Sequence, residues 1–395
     1  MHVAFVFPNY WPYVRRGAER LMAEYAQYLV SAGHSVDIIT SKPGASRVER
    51  HGRLTVYYDR QITHPVLSHY VRWLRFYTFT VSSLRRLMQG NYDVVHTWLY
   101  PFGLGIRLAS HMKHTPYLYH VMSEHIALPY ATDRWVAGQV IRPADHVAAL
   151  SARSAENVTR EMGVRASVLP PSVDLSTFQP VAARHEDHPR VLFVSDMRVY
   201  AKGLNLLLMA WDEIHRRRPE AMLTLAGPSG QSGMAEPEWD PFAAMSTLVK
   251  DPSARAAIEV LGEGNVHSLP DIYARASVTV LPSIGEAFGL VLVESLACGT
   301  PVVGSSFDGP GEIITDPGIG ASIPLETVDD LARPELAAKL AEAVLYSMDL
   351  TKDPSTVQRC REHARRWDRQ TVGALLETIY TQMIENRALL AGAQA

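Results

Sequence analysis

The chain has 395 residues, 47% of them hydrophobic and 20% charged, with a formal net charge of −3 at pH 7. That length exceeds what one core usually organises, so two domains are expected, and the absence of a long basic run argues against nucleic-acid binding. Its two cysteines, Cys298 and Cys360, cannot build a disulfide framework or a zinc-ligand spacing, and no window holds the ~18 to 20 apolar residues of a membrane helix. The opening MHVAFVFPNYWP is a short apolar strand that breaks at Pro8, with no basic n-region and no stop-transfer span. A cytoplasmic protein, at most peripheral to a membrane, is the expectation.

Residues 2–7 read as a strand, 17–32 as a helix ended by Gly33, and 36–40 as a second strand. This βαβ opening predicts a parallel sheet. Further strands are expected at 93–96, 117–120, 146–150 and 167–169, and a short helix over 152–161 follows the Ser151 cap. Residues 178–189 hold two prolines, several charges and few apolar side chains, the composition of a linker. A second βα series then begins, with a strand at 191–194, a helix at 204–217 and a strand at 221–226. The Gly, Pro and Ser-rich stretch 227–241 reads as a surface loop. Strands at 266–268, 278–281 and 302–304 continue the sheet, and 334–346 and 363–387 are helical by period. No internal repeat or low-complexity tract is present.

The most informative stretch runs LPSIGEAFGLVLVESLACGTPVV from Leu281. A buried strand enters a Gly-containing loop that carries Glu286. A helix opens near Gly289, carries Glu294, and is closed by Gly299 and Pro301. A helix start reached through small residues offers N–H groups and about half a positive charge to an anion. Acids before and inside that helix add acceptors for hydroxyls, and hydroxyls beside phosphate describe a sugar nucleotide.

The segment from Glu286 to Glu294 resembles the Glu-x7-Glu signature of retaining glycosyltransferases of family 4, with Ala287 in place of the usual Gly. The resemblance covers essentially the whole chain. It implies the α/β GT-B fold, two Rossmann-like domains facing each other across a cleft, with the C-terminal helix crossing back onto the N-terminal domain. The domains expected are 1–177 with 371–395, on the acceptor side, and 190–370, binding the sugar nucleotide. In the roles the family implies, Glu294 holds the ribose hydroxyls and Glu286 the donor sugar. Backbone groups of Ala287, Phe288, Gly289 and Leu290 serve sugar or phosphate.

Other segments extend the likeness. The run from Val194 to Gly203 resembles the family's V-G-R-L-x-x-x-x-K-G segment, whose Arg and Lys neutralise the donor diphosphate. A fixed cation there lowers the barrier as charge builds on the leaving group, with no metal needed. Lys202 aligns, whereas Asp196 takes the place of the Arg, with Arg198 two residues later as the expected substitute. Arg15-Arg16-Gly17-Ala18-Glu19 resembles the G-G-x-E loop near donor phosphate and acceptor. Gly17 is retained there, and Arg16 either adds a charge or points outward. Glu19 reads equally as a first-turn acid complementing the helix dipole. His120, at the end of its strand, matches a family His that contacts the donor sugar, with Glu124 and His125 as weaker acceptor-side candidates. His96 and the Pro170–Asp174 turn, in which Pro-Ser replaces the usual Asn-Gly, are read as architectural.

Gly103-Leu104-Gly105 lies too far past its strand for a dinucleotide loop. No P-loop, nucleophile elbow or metal-holding D-x-D pair occurs, so no cofactor and no metal are expected. Residues 70–88 mix aromatics with Arg72, Arg75, Arg85 and Arg86. Such a mixture also fits a membrane-surface helix, but a helix packed beside the acceptor site, with its basic residues solvated, is preferred. The expected activity is sugar transfer from a UDP or GDP sugar to a glycan, a lipid-linked sugar or a small metabolite. A sugar-nucleotide epimerase and a non-catalytic sugar-nucleotide-binding subunit are the alternatives. Donor base, sugar, acceptor and oligomeric state are not readable from the sequence.

Overall fold

The computed structural model describes residues 1–10, 17–42, 44–60, 74–126, 128, 131–181, 188–229, 239–262 and 269–392, the side chains of 74–78 and 391–392 excepted. The chain divides into two compact units, Met1–Ser172 with Arg369–Ala395, and Val173–Asp368. The stretch after Ser172 belongs to the second unit because the Val173 N–H donates to Trp367 O and the Arg361 guanidinium donates to Phe178 O. The division therefore falls earlier than the linker expected at 178–189.

The first unit opens with β1 (His2–Val6), α1 (Gly17–Ser31) and β2 (Ser35–Lys42). Next come β3 (Arg47–His51), β4 (Leu54–Arg60), α2 (Leu74–Gln89), β5 (Val94–Thr97) and α3 (Gly103–Lys113). It continues through β6 (Tyr117–Val121), α4 (Ala131–Ile141), β7 (His146–Ala149), α5 (Ala152–Met162) and β8 (Ser167–Val168). The sheet order is β3-β4-β2-β1-β5-β6-β7-β8, parallel except for the β3–β4 hairpin. The hairpin was not expected: β3 has one apolar residue, lies at the edge, and turns through Gly52 at φ 62°. Ser151 caps α5 as expected, its Oγ accepting from Ser154 N–H, and Gly163 closes that helix in the left-handed region.

The second unit holds β9 (Arg190–Val194), α6 (Leu204–Arg217), β10 (Met222–Ala226), α7 (Pro241–Leu248), α8 (Pro252–Ala256) and β11 (Ile258–Gly262). It continues with α9 (Leu269–Arg275), β12 (Val278–Leu281), α10 (Leu290–Ala297), β13 (Val302–Ser305), α11 (Asp308–Ile313) and β14 (Gly320–Ile323). The helices α12 (Pro334–Leu350) and α13 (Ser355–Ala364) complete it. Its six strands are parallel, in the order β11-β10-β9-β12-β13-β14. The strand expected at 266–268 and most of the 227–241 loop lie outside the described residues, and β11 is the strand that pairs with β10. The core gathers around the fully buried Trp211 and Phe193, with Leu206, Leu340 and Val344.

From β9 the chain winds outward through β10 to β11, then returns to the other side of β9 and winds through β12 to β14. Loops leaving the C-terminal ends of β9 and β12 therefore diverge at a topological switch point, where open α/β sheets hold ligands.

The final helix, α14 (Arg369–Gly392), belongs to the first unit. Helical period predicted one helix over 363–387. The chain instead breaks at a 3-10 turn, Arg365–Trp367, and at extended Asp368, because Trp367 is buried there and holds Val173. α14 lies on α1 with Gly373 against the Tyr28 ring, where a Cβ would sit 2.2 Å from ring carbon. Glu377 accepts from Tyr28 Oη at 3.1 Å and pairs with His34 Nε2 at 3.0 Å, and Arg369 reaches Glu24 at 2.7 Å.

Candidate active site

The loop after β9 closes in a 3-10 turn, Tyr200–Lys202, ended by Gly203 at φ 78°, whose N–H donates to Tyr200 O at 2.9 Å. A Cβ on Gly203 would lie 2.0 Å from Pro282 O, so the turn sits directly on the loop after β12. The Ile284 N–H donates to Ala201 O at 2.8 Å and fastens the two loops together. This contact brings Lys202 Nζ to 2.7 Å from Glu286 Oε2, with the side chains 29% and 20% exposed. The two residues expected to grip diphosphate and sugar are thus neighbours at the switch point, although 84 positions apart in sequence.

Glu286 is held by the next loop along the sheet. Its carbonyl accepts from Gly309 N–H at 3.0 Å, and Gly309 has no room for a side chain, since a Cβ would fall 2.2 Å from Phe288 Cα. Asp308, at φ 58°, accepts from Gly285 N–H at 3.1 Å. Gly289 at φ 98° then starts α10 without a side-chain cap, and the third N–H of the first turn, on Leu292, donates to Gly289 O at 2.9 Å. Phe288 is buried edge-on to Trp367, and Ala287 is buried beside it. Glu294 is 1% exposed in α10. Asp308 and Gly309 escaped the sequence reading, and the D-G-P-G turn signal at 308–311 was the clue to them.

Arg198 does not reach outward as a diphosphate ligand. Its guanidinium makes a bidentate pair with Asp196, Nε to Oδ1 at 2.8 Å and a terminal nitrogen to Oδ2 at 2.7 Å, and its backbone N–H donates to the same carboxylate. The acid that occupies the expected Arg position binds the Arg expected to replace it, and the two charges cancel locally.

In the first unit, Gly17 opens α1 and is exposed, Glu19 in the first turn is 2% exposed, and Arg15 and Arg16 lie outside the described residues. His120 is neither terminal nor accessible. β6 runs on to Val121, and the ring is fully buried, with Nε2 3.0 Å from Leu169 O. It stacks on His96 at 5.4 Å and on Tyr25 at 6.2 Å, and His96 bonds Tyr380 Oη at 2.7 Å. Burial pushes the His120 imidazolium down to about 3 and lowers His96 well below the ordinary histidine range. His125 is paired with Glu161 at 2.5 Å. Among the described residues, no three His, Cys, Asp or Glu side chains converge as a metal site would require, and no helix is long and apolar enough to cross a membrane.

Comparison with known proteins matches residues 15–177 to "Glycosyltransferase Family 4" and residues 176–367 to "Glycosyl transferases group 1". A D-inositol 3-phosphate glycosyltransferase of Catenulispora acidiphila is 30% identical over 76% of this chain and 73% of its own. The enzyme of that name from Streptosporangium roseum is 30% identical over 62% of this chain, and the match spans 60% of its length. Among solved structures, sucrose-phosphate synthase from Thermosynechococcus elongatus superposes with a TM-score of 0.78 at 20% identity, over 98% of this chain and 99% of that one. Anabaena HepE in complex with UDP-glucose gives 0.72 at 17% identity, over 97% of this chain and 100% of that one. Two parallel Rossmann-like sheets, a lysine and a signature glutamate joined at the switch point of the second, and these matches together assign the chain to glycosyltransferase family 4, retaining glycosyltransferases of GT-B fold.

Proposed function

We propose that the protein transfers a sugar, with retention and without a metal, from a nucleoside diphosphate sugar to a hydroxyl or similar nucleophile. The observation that carries this reading is the 2.7 Å contact of Lys202 with Glu286 beside the Gly289 helix start. Lys202 takes the departing diphosphate, the N–H groups at Gly289 and Leu290 share its charge, and Glu286 and Glu294 bind donor sugar and ribose hydroxyls. Acceptor recognition is assigned to the first unit, near Gly17.

The Lys202–Glu286 pair does not obstruct this. A partly exposed ion pair contributes only about 1 kcal/mol or less. A hydrogen bond between a charged group and its ligand contributes roughly 1.5–3 kcal/mol. A donor that gives Lys202 a phosphate and Glu286 a hydroxyl therefore more than replaces what it breaks. In the reaction the anomeric carbon–phosphate oxygen bond breaks, the acceptor oxygen bonds to the same face, and its proton passes to the leaving phosphate. No strong general base is required, consistent with the neutral, enclosed His120.

Nucleoside diphosphate release by the purified protein, from a panel of UDP and GDP sugars with sugar, polyol and lipid-linked acceptors and a chelator present, is the test. Acceptor-dependent release with a retained anomeric configuration is expected. The Asp196–Arg198 pair is the one observation favouring a non-catalytic sugar-nucleotide-binding subunit. Donor binding without turnover under any acceptor would establish that reading, and epimerised donor without acceptor would establish an epimerase.

A further inference from the structure

Strands β12 and β13 pair in register, Leu281 opposite Gly304, so the loops leaving their C-terminal ends run side by side. The second loop is pinned before it meets the first. Ser306 N–H donates to Ile323 O at 2.7 Å and Ser305 Oγ donates to Leu325 O at 3.0 Å, at and just beyond the end of β14. At the far end of α11, Ile313 O lies 2.7 Å from Nε2 of His363 on α13. This short helix is therefore anchored at both ends.

Between the anchors stands Asp308, at φ 58°. A side chain in that region carries a backbone cost that glycine escapes. The other non-glycine residue described there, His114 at φ 54°, closes α3 as an ordinary helix cap. Asp308 instead opens α11, with its carboxylate turned back to accept from Gly285 N–H. The next amide, Gly309 N–H, donates to Glu286 O. One left-handed corner thus holds the two-residue step from Gly285 N–H to Glu286 O at both ends. Gly285 is itself at φ 67°, and a glycine left unheld has wide backbone freedom. The side chain that this step carries is the one that meets Lys202 Nζ at 2.7 Å.

We infer that Asp308 is a positioning residue for donor-sugar recognition, its carboxylate fixing the backbone from which Glu286 reaches the sugar hydroxyls. This role rests on the sugar contact proposed for Glu286. A carboxylate that must meet a hydroxyl has to be held to within about 0.5 Å, and a loop entered through glycine does not achieve that alone. Asp308 acts through Glu286 rather than on the donor.

Two replacements separate the carboxylate from the backbone it strains. Asp308→Gly keeps the left-handed conformation and deletes the acceptor, whereas Asp308→Asn keeps a side-chain oxygen in a residue that tolerates that backbone. Binding is read by calorimetry on the full chain with UDP-glucose and GDP-glucose, and with UDP and GDP as sugar-free controls. Asp308→Gly should weaken sugar-nucleotide binding about tenfold, leave nucleoside diphosphate binding unchanged, and unfold at the parental temperature. Asp308→Asn should stay within about threefold of the parent. With Glu286→Ala already in place, Asp308→Gly should cost nothing further, because the two act through one contact. Without any donor, amide exchange across residues 283–287 should quicken roughly fivefold in Asp308→Gly but not in Asp308→Asn. Unchanged exchange, equal losses for nucleoside diphosphate and sugar nucleotide, or an undiminished loss beside Glu286→Ala would overturn the inference. Sugar-nucleotide binding that Glu286→Ala leaves intact would instead remove the sugar role of Glu286, and this positioning role with it.

Discussion

Replacement of His120 by glutamine tests whether this side chain is part of the architecture. In the neutral ring the Nε2–H donates to Leu169 O, and Nδ1 is buried without a protein partner. A proton added at Nδ1 finds no acceptor, burial denies the charge water, and His146 opposes it. The folded-state value of about 3 lies below the ordinary 6.5, so the unfolded chain binds the proton first. Stability from this group is therefore complete above about pH 6.5 and is lost as pH falls from there toward about 3. At pH 5 the loss is about 1.5 pH units at 1.36 kcal/mol each, or about 2 kcal/mol. Titration of carboxylates is common to parent and variant and cancels in the comparison. Hydrogen exchange of the β6 and β7 amides at pH 7.5 and pH 5 reads the local free energy without assuming that both units unfold together. The stability gap between parent and His120→Gln should close by about 2 kcal/mol on acidification. Parallel pH dependence in the two proteins would refute the reasoning and reopen a solvent- or substrate-facing role for the ring.

Gly203→Ala places a Cβ 2.0 Å from Pro282 O in a left-handed backbone, so thermal stability and nucleotide release should both fall. Gly163→Ala shares that backbone region but meets open space, and should lose only about 1 kcal/mol with activity intact; equal losses would show the loop contact to be unimportant. Glu294→Gln should weaken nucleoside diphosphate sugar binding about tenfold or more in calorimetry, the equivalent of one charge-assisted hydrogen bond. Unchanged affinity would remove its ribose role. Arg198→Gln, with its charge already answered by Asp196, should lower turnover only on the order of a few-fold. A loss matching that of a Lys202 replacement would show that the guanidinium leaves Asp196 for the phosphate.

Much of this fold is legible because its signals are local and repeated. The helix over 204–217 and the strand over 278–281 are recovered to the residue, since an apolar period and flanking Gly, Pro or cap residues coincide there. Where tertiary contacts decide, local pattern falls short. Strand β3 is polar and at an edge, and the break at Asp368 follows from Trp367 being buried against Phe288. At the candidate site, the family resemblance singled out Lys202 and Glu286, and the structure brings the two side chains together. The Asp196 clamp on Arg198 was not legible, because it depends on side-chain geometry within one loop. Nor was the burial of His120, because one further residue of strand, Val121, turns a terminal position into an interior one.

The most direct measurement is single-turnover nucleoside diphosphate release by Lys202→Ala, beside a check that its thermal unfolding matches the parent's. With this cation holding the departing diphosphate, its removal should cost on the order of 2–4 kcal/mol of transition-state stabilisation and slow release roughly a hundredfold or more in a folded protein. Release at nearly the parental rate would contradict the assignment and place the charge-bearing group elsewhere.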